Sequence, residues 1–163
     1  MAIGILEVSL VGAKSLAGTD FLGRMDPYVV IKYKSQERRS SVARGQGGSP
    51  SWNEKHKLRV EYPGEGNDYK LILRIMDEDT FSADDFVGEA THRGVTLLQS
   101  YVKDLLALGV DNGTAELHPR KYSVTNANQC YCGEIQVGLN FTLKEVMDEN
   151  DEEKYGGWNE SEY

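Results

Sequence analysis

Five aspartates stand out by their spacing. Asp20 and Asp26 bracket Phe21-Leu22-Gly23-Arg24-Met25, directly before an apolar run that opens at Pro27-Tyr28, and Asp77, Asp79 and Asp85 follow a run that ends at Ile75. Both groups lie where extended segments begin or end. If the two loops meet at one end of a domain, five carboxylates converge. Like charges within a few ångströms raise one another's pKa and destabilise the loops unless a cation neutralises them. Carboxylate oxygens on flexible loops suit a hard ion: Ca²⁺ accepts about six to eight of them at variable geometry, whereas Mg²⁺ wants a stricter octahedron and Zn²⁺ prefers nitrogen or sulfur. Calcium is the metal that this donor set matches. A single turn aspartate is ordinarily solvated and accepts backbone hydrogen bonds, and Asp68, Asp84 and Asp111 are read that way. The joint placement of the other five is what points to a metal.

An EF-hand does not account for the spacing. Counted from Asp77, the sixth residue is Ser82 and the twelfth Gly88, where that loop needs Gly and Glu between two helices. The flanks here are strands. Leu6-x-Val8-x-Leu10, Val29-x-Ile31-x-Tyr33, Leu58-x-Val60-x-Tyr62, Leu71-x-Leu73-x-Ile75 and Ile135-x-Val137-x-Leu139-x-Phe141-x-Leu143 alternate apolar with polar residues, the period of a strand with one buried face. Weaker strands are predicted at Arg38–Ala43, Phe86–Thr91 and Ala115–Tyr122. Turn signals separate them, among them Gly45 to Pro50, Pro63 to Asp68 and Asp111-Asn112-Gly113. Eight short strands at this spacing predict an all-β, antiparallel sandwich. One stretch breaks the pattern: Val95, Leu98, Val102, Leu105 and Leu106 recur at helical spacing before Gly109, which predicts a short amphipathic helix over Thr96–Leu108 in a late loop, lying on the sandwich edge.

The chain's 163 residues suit one domain and a tail. Of its 26 acidic residues, eight fall from Glu145 onward against a single Lys154, so most of the net charge of −8 sits there. A domain at 1–144 and an acidic, disordered tail at 145–163 are expected, the tail having too few apolar residues to order itself. No uncharged run exceeds Tyr122 to Gly133, far short of the roughly 20 apolar residues of a membrane span, and the start lacks a signal peptide's pattern. Cytoplasmic residence is expected. Cys130 and Cys132 are too few for a disulfide framework, and His56, His92 and His118 are too scattered to complete a zinc site with them.

Read together, these segments resemble a C2 domain. The residues that carry the likeness are Gly4 to Leu16, Asp20, Asp26-Pro27-Tyr28-Val29, Pro50-Ser51-Trp52-Asn53-Glu54, Asp77-x-Asp79-x5-Asp85-Phe86-Val87-Gly88-Glu89 and Gly133-Glu134-Ile135-x-Val137, in unbroken order over residues 4–144. Within that family the chain is similar to small single-domain plant proteins of the elicitor-responsive type. The resemblance implies the type II topology, with two or three Ca²⁺ ions bound by loops at one end. It carries over Asp20, Asp26, Asp77, Asp79 and Asp85 as ligands, Ser82 as an occasional oxygen donor, and the carbonyls of Phe21 and Glu78. It assigns Trp52 to packing beneath the sheets, and Phe86 is read as core.

Phe21 follows Asp20 and Phe81 follows Asp79 by two, with Leu22 and Met25 nearby. Apolar tips beside a charge switch predict membrane contact, and the two Phe match loop-tip positions that insert into lipid in related domains. Lys32, Lys34, Arg38 and Arg39 on the second and third strands form a basic patch for an anionic lipid, phosphatidylserine or a phosphoinositide, each basic residue adding on the order of 1 kcal/mol near an anionic leaflet. Lys32 matches a phosphoinositide-binding lysine of related domains, while Val30 stands where a neighbouring basic residue would be. The expected activity is calcium-dependent, reversible recruitment of a monomer from the cytosol to the plasma membrane in signalling. The rival reading is an adaptor that binds a protein partner, with calcium only stabilising the loops. Related plant proteins are also linked to phloem and RNA movement, but the net charge and the lack of aromatics interleaved with the basic residues argue against nucleic acid. No catalytic signature stands in the chain: there is no Gly-x-Ser-x-Gly, no phosphate-cradling loop and no His-Glu-x-x-His.

Overall fold

A computed structural model describes residues 2–17, 25–62, 70–92 and 114–146. They form eight strands: β1 (Ala2–Lys14), β2 (Pro27–Tyr33), β3 (Gln36–Arg39), β4 (Ser51–Tyr62), β5 (Leu71–Asp77), β6 (Asp85–His92), β7 (Thr114–Thr125) and β8 (Tyr131–Val146). All pairings are antiparallel, in the order β3-β2-β5-β6-β7-β8-β1-β4. The β6–β7 junction is a single pair, Glu89 with Thr125, so the order divides into two four-stranded layers, β3-β2-β5-β6 and β7-β8-β1-β4. β1 runs inside the second layer, between β8 and β4.

The alternation explains the layering. Leu6, Val8 and Leu10 of β1, Val29, Ile31 and Tyr33 of β2, Leu71, Leu73 and Ile75 of β5, and Ile135, Val137 and Leu139 of β8 are all at most 1% exposed and share one core. Each such side chain contributes roughly 1.5–3 kcal/mol when fully buried. Trp52 closes one end of this core, its indole Nε1–H donating to the Pro27 carbonyl at 3.2 Å. At the β3–β4 edge a buried amide fastens the layers together: Gln36 donates to the Arg59 carbonyl at 2.5 Å and accepts from the Arg59 amide at 2.9 Å.

Two boundaries and one burial differ from the sequence reading. β3 lies earlier than expected, because beyond Arg39 the Ser40 amide turns to the Val29 carbonyl and the Ser40 hydroxyl takes the Val29 amide. β8 continues through Val146, paired with Ala2, three residues past the alternation that ends at Leu143. Phe86 is half-buried on the outer face with Arg74 5.4 Å over its ring, because the register slip between Ile75 and Met76 leaves Val87, not Phe86, pointing inward. The expected helix over Thr96–Leu108 and most of the expected tail lie outside the described residues, among which no helix occurs.

Candidate functional site

Strand register places the carboxylates. Pro27 at the start of β2 pairs with Asp77 at the end of β5, and Asp77 pairs with Asp85 at the start of β6. Asp26, Asp77 and Asp85 therefore stand at one end of three neighbouring strands. Asp77 is buried, and its Oδ1 accepts from the Asp26 amide at 2.9 Å. The Asp26 carbonyl accepts from the Glu78 amide at 3.0 Å, and its Oδ1 accepts from the Gly45 amide at 2.6 Å. These bonds tie the entry to β2, the exit from β5 and the 40–50 loop into one unit.

Between β5 and β6 the chain makes a compact turn. The Phe81 amide donates to Asp79 Oδ1 at 3.0 Å, and that bond, followed by the Ser82 hydroxyl, holds the Asp79 carboxyl below the usual carboxylate range. A carboxylate kept ionised in this way is suited to a cation. The Asp79 amide donates to Asp84 Oδ1 at 3.0 Å, and Asp84 Oδ2 accepts from the Tyr28 hydroxyl. Tyr28 is buried, and desolvation together with this bond pushes its pKa up to about 12. The turn is thus braced to β2. Glu78 supplies a second brace, its carboxylate bridging Arg39 at 3.2 Å and Arg44 at 3.0 Å, while the Arg39 guanidinium lies 3.9 Å over the Tyr28 ring.

Phe81 stands at the tip of this turn, 98% exposed. Met25 does not join it. Placed with the membrane-contacting residues on sequence, it is 3% exposed and part of the core, because the chain turns inward there and its carbonyl accepts the Gly47 amide at 3.0 Å. Asp20, Phe21 and Leu22 lie outside the described residues. Among those described, no three acidic, His or Cys side chains stand close enough together to hold a metal ion. Asp26, Asp77, Asp79 and Asp85 share one end of the sandwich without forming a closed cage. The Ser82 hydroxyl lies within 3.4 Å of the Ala83 carbonyl.

The four basic residues expected to act together are tied to different partners. Lys32 pairs with Glu37 and Lys34 with Glu61, both at 3.2 Å. Arg38 is half-buried and donates to the Lys57 and Glu37 carbonyls, and Arg39 belongs to the Glu78 brace. Sequence reasoning missed Asp84 as an organiser of the turn and Arg44 as a partner of Glu78. A buried tyrosine hydroxyl requires a partner, so Tyr28 announces a bond, but its position in the chain does not say with which residue.

Comparison with known proteins agrees with this architecture. The C2 domain profile matches residues 4–106. The chain is 51% identical to 16 kDa phloem protein 1 of Arabidopsis thaliana over 164 aligned residues, covering 99% of both chains. It is 49% identical to elicitor-responsive protein 1 of Oryza sativa subsp. japonica, covering 95% of this chain and 94% of that one. A solved C2 domain-containing protein superposes with a TM-score of 0.62 at 34% identity, over 90% of this chain and 94% of the other. With the profile matching most of its length and near-full-length relatives at this identity, the chain belongs to the C2 domain family.

Proposed function

We propose that this protein binds anionic phospholipid membranes reversibly when calcium rises, through the end of the sandwich that carries Asp26, Asp77, Asp79, Asp85 and Phe81. C2 domains commonly bind Ca²⁺ and often bind phospholipid membranes. The observation that carries the reading here is Phe81, a fully exposed aromatic ring two residues from a carboxylate held ionised by its own turn.

The donors fit calcium by chemistry. They are hard oxygens, several of them already oriented by backbone amides, on loops that can adjust to its variable geometry. Asp26, Asp77, Asp79 and Asp85, together with Asp20, would hold the ion, which when bound supplies the positive charge that lets this acidic end approach lipid phosphates. Phe81 adds apolar contact, roughly 1.5–3 kcal/mol if fully buried, enough for a weak and reversible attachment. Lys32 and Lys34 can turn toward the leaflet at little cost, since their exposed ion pairs are worth only about 0–1 kcal/mol each.

Co-sedimentation with phosphatidylserine vesicles, in calcium and in chelator, tests the reading. Binding is expected to be strong in calcium and weak in chelator, to fall to the chelator level in Asp79→Asn, and to weaken about tenfold or more in Phe81→Ala while calorimetry still detects calcium binding in solution. Equal sedimentation in chelator, or none in either condition, overturns it; the second result would favour a protein-binding adaptor.

A further inference from the structure

On the outer face of the β7-β8-β1-β4 layer, β1 slips register between Leu10 and Gly12 against both of its neighbours. Opposite the slip, Asn53 of β4 takes a φ of +51°, a conformation that asparagine tolerates better than most residues. Beyond it the Ala13 amide bonds to the Pro50 carbonyl at 3.0 Å. The result is a groove of about 210 Å³ lined by β1, the 49–51 segment, β8 and β7. A Cβ on Gly12 would stand 2.6 Å from the Pro50 carbonyl oxygen, so the close approach that shapes this wall requires glycine.

Two lysines rim the groove. Lys14 is in register with Glu134 and Lys121 with Gln136, which sets them on strands to either side of β8, about 10 Å apart across the sheet. Both are exposed, and among the described residues neither side chain makes an ion pair or hydrogen bond, unlike those of Lys32 and Lys34. One carboxylate also lines the groove, that of Glu134, and after desolvation its charge raises the pKa of the Tyr131 hydroxyl. Tyr131 is 59% exposed, and with Phe81 it makes up the large hydrophobic side chains left in solvent among the described residues. Both are at the carboxylate end. Next to Tyr131, the Cys132 carbonyl accepts the Ala17 amide at 3.1 Å, and its thiol lies 3.7 Å from the Val87 carbonyl, near the start of β6.

We propose that this groove binds the phosphate of an anionic lipid head group, with the Tyr131 ring at the membrane interface beside it, as a docking point separate from the carboxylate loops. The inference rests on the membrane reading above. Charge selects an anion: two ammoniums with no side-chain partner among the described residues line the groove with a single carboxylate. Size selects a small group, since pockets for whole organic ligands run to about 300–1,000 Å³. Position selects a lipid over a soluble anion, because the groove's Lys14 and Glu134 lie at the end of β1 and near the start of β8, on the side of the sandwich from which Phe81 and Tyr131 enter solvent. Tyrosine, with an apolar body and a polar tip, suits a membrane interface.

Backbone amide NMR of the full chain, titrated in chelator with short-chain dihexanoyl phosphatidylserine, reads the site without calcium or a bilayer. Saturable shifts are expected at Val11, Gly12, Lys14, Ser51 and Lys121, and are to be lost in Ser51→Trp, which fills the groove without changing charge. Equal shifts with inorganic phosphate would mean a site for free phosphate and overturn the lipid assignment; shifts confined to other surfaces would overturn the groove. In vesicle sedimentation, Lys14→Ala with Lys121→Ala should weaken binding about 20- to 30-fold, on the order of fivefold for each lysine near an anionic leaflet. Lys55→Ala with Lys57→Ala, on the same sheet face away from the groove, should cost clearly less. Equal losses in the two double variants would reduce the groove to general surface charge. Because the NMR arm needs no calcium, failure of calcium-dependent recruitment and failure of the groove give different results.

Discussion

Leu73 in the middle of β5 and Asp84 in the turn beyond it belong to the same stretch of chain, but different forces hold them. Leu73 has no exposed surface and is surrounded by apolar side chains from both layers. Asp84 is held by one hydroxyl and one amide, from Tyr28 and Asp79. Apolar burial is non-directional and shared among many neighbours, so the core fixes where the strands end but not how the loops beyond them are shaped. Loop shape rests on a few directional bonds. Removing any one of these should leave the sandwich folded, so that the carboxylate end can change shape while its base stays fixed.

The widest gap between the two regions should appear in Leu73→Ala. A large-to-small change at such a site costs about 2–5 kcal/mol, read as a drop in the urea midpoint with the slope unchanged. Amide chemical shifts of residues 79–84 should stay close to those of the parent protein. A collapse of the turn at conditions where the variant remains folded would mean that core and loop are one cooperative unit, and the comparison would fail.

The same contrast explains what could be read in advance. The core strands are legible because alternation is a local signal: Leu71, Leu73 and Ile75 declare their inward face within five residues of sequence. The carboxylates were legible as a group because they flank those strands, and register then set Asp26, Asp77 and Asp85 at one end. The inward turn of Met25, the partner of Tyr28 and the clasp on Glu78 were not legible. Each depends on a contact between segments far apart in the chain, and an apolar or charged residue in a loop looks the same whether it is covered or free. The bulge at Gly12 that opens the groove is hidden for the same reason, since a one-residue slip leaves no mark on composition.

Tyr28→Phe cuts the brace at its base and should have the intermediate effect. The ring stays buried, so global stability should fall less than in Leu73→Ala, while amides of residues 79–84 exchange about five- to tenfold faster through local opening. The hydroxyl also makes a pH test. Its pKa is raised in the folded state from 10.0 to about 12, so its contribution to stability is complete below about pH 10 and is lost as pH rises through about 12. Absorbance at 295 nm should show a late-titrating tyrosine among the nine in the chain, and Tyr28→Phe should remove it. If Tyr28→Phe removed instead a tyrosine titrating near its ordinary value of 10.0, the buried environment of this hydroxyl would be absent in solution.

Glu78→Gln should change stability least and sharpen the comparison most. Its two ion pairs involve half-exposed to exposed arginines, and pairs of that kind contribute about 0–1 kcal/mol each. A melting-temperature difference from the parent protein should therefore be small at low salt and vanish near 1 M, where the screening length falls to about 3 Å. The larger consequence is electrostatic. Neutralising Glu78 frees Arg39 and Arg44 beside the carboxylates, so binding to phosphatidylserine vesicles in chelator should strengthen by on the order of fivefold for each arginine that reaches the leaflet. Unchanged chelator binding with the same small stability effect would mean that the clasp only shapes the turn, whereas stronger binding would make Glu78 a brake on the charge of this end.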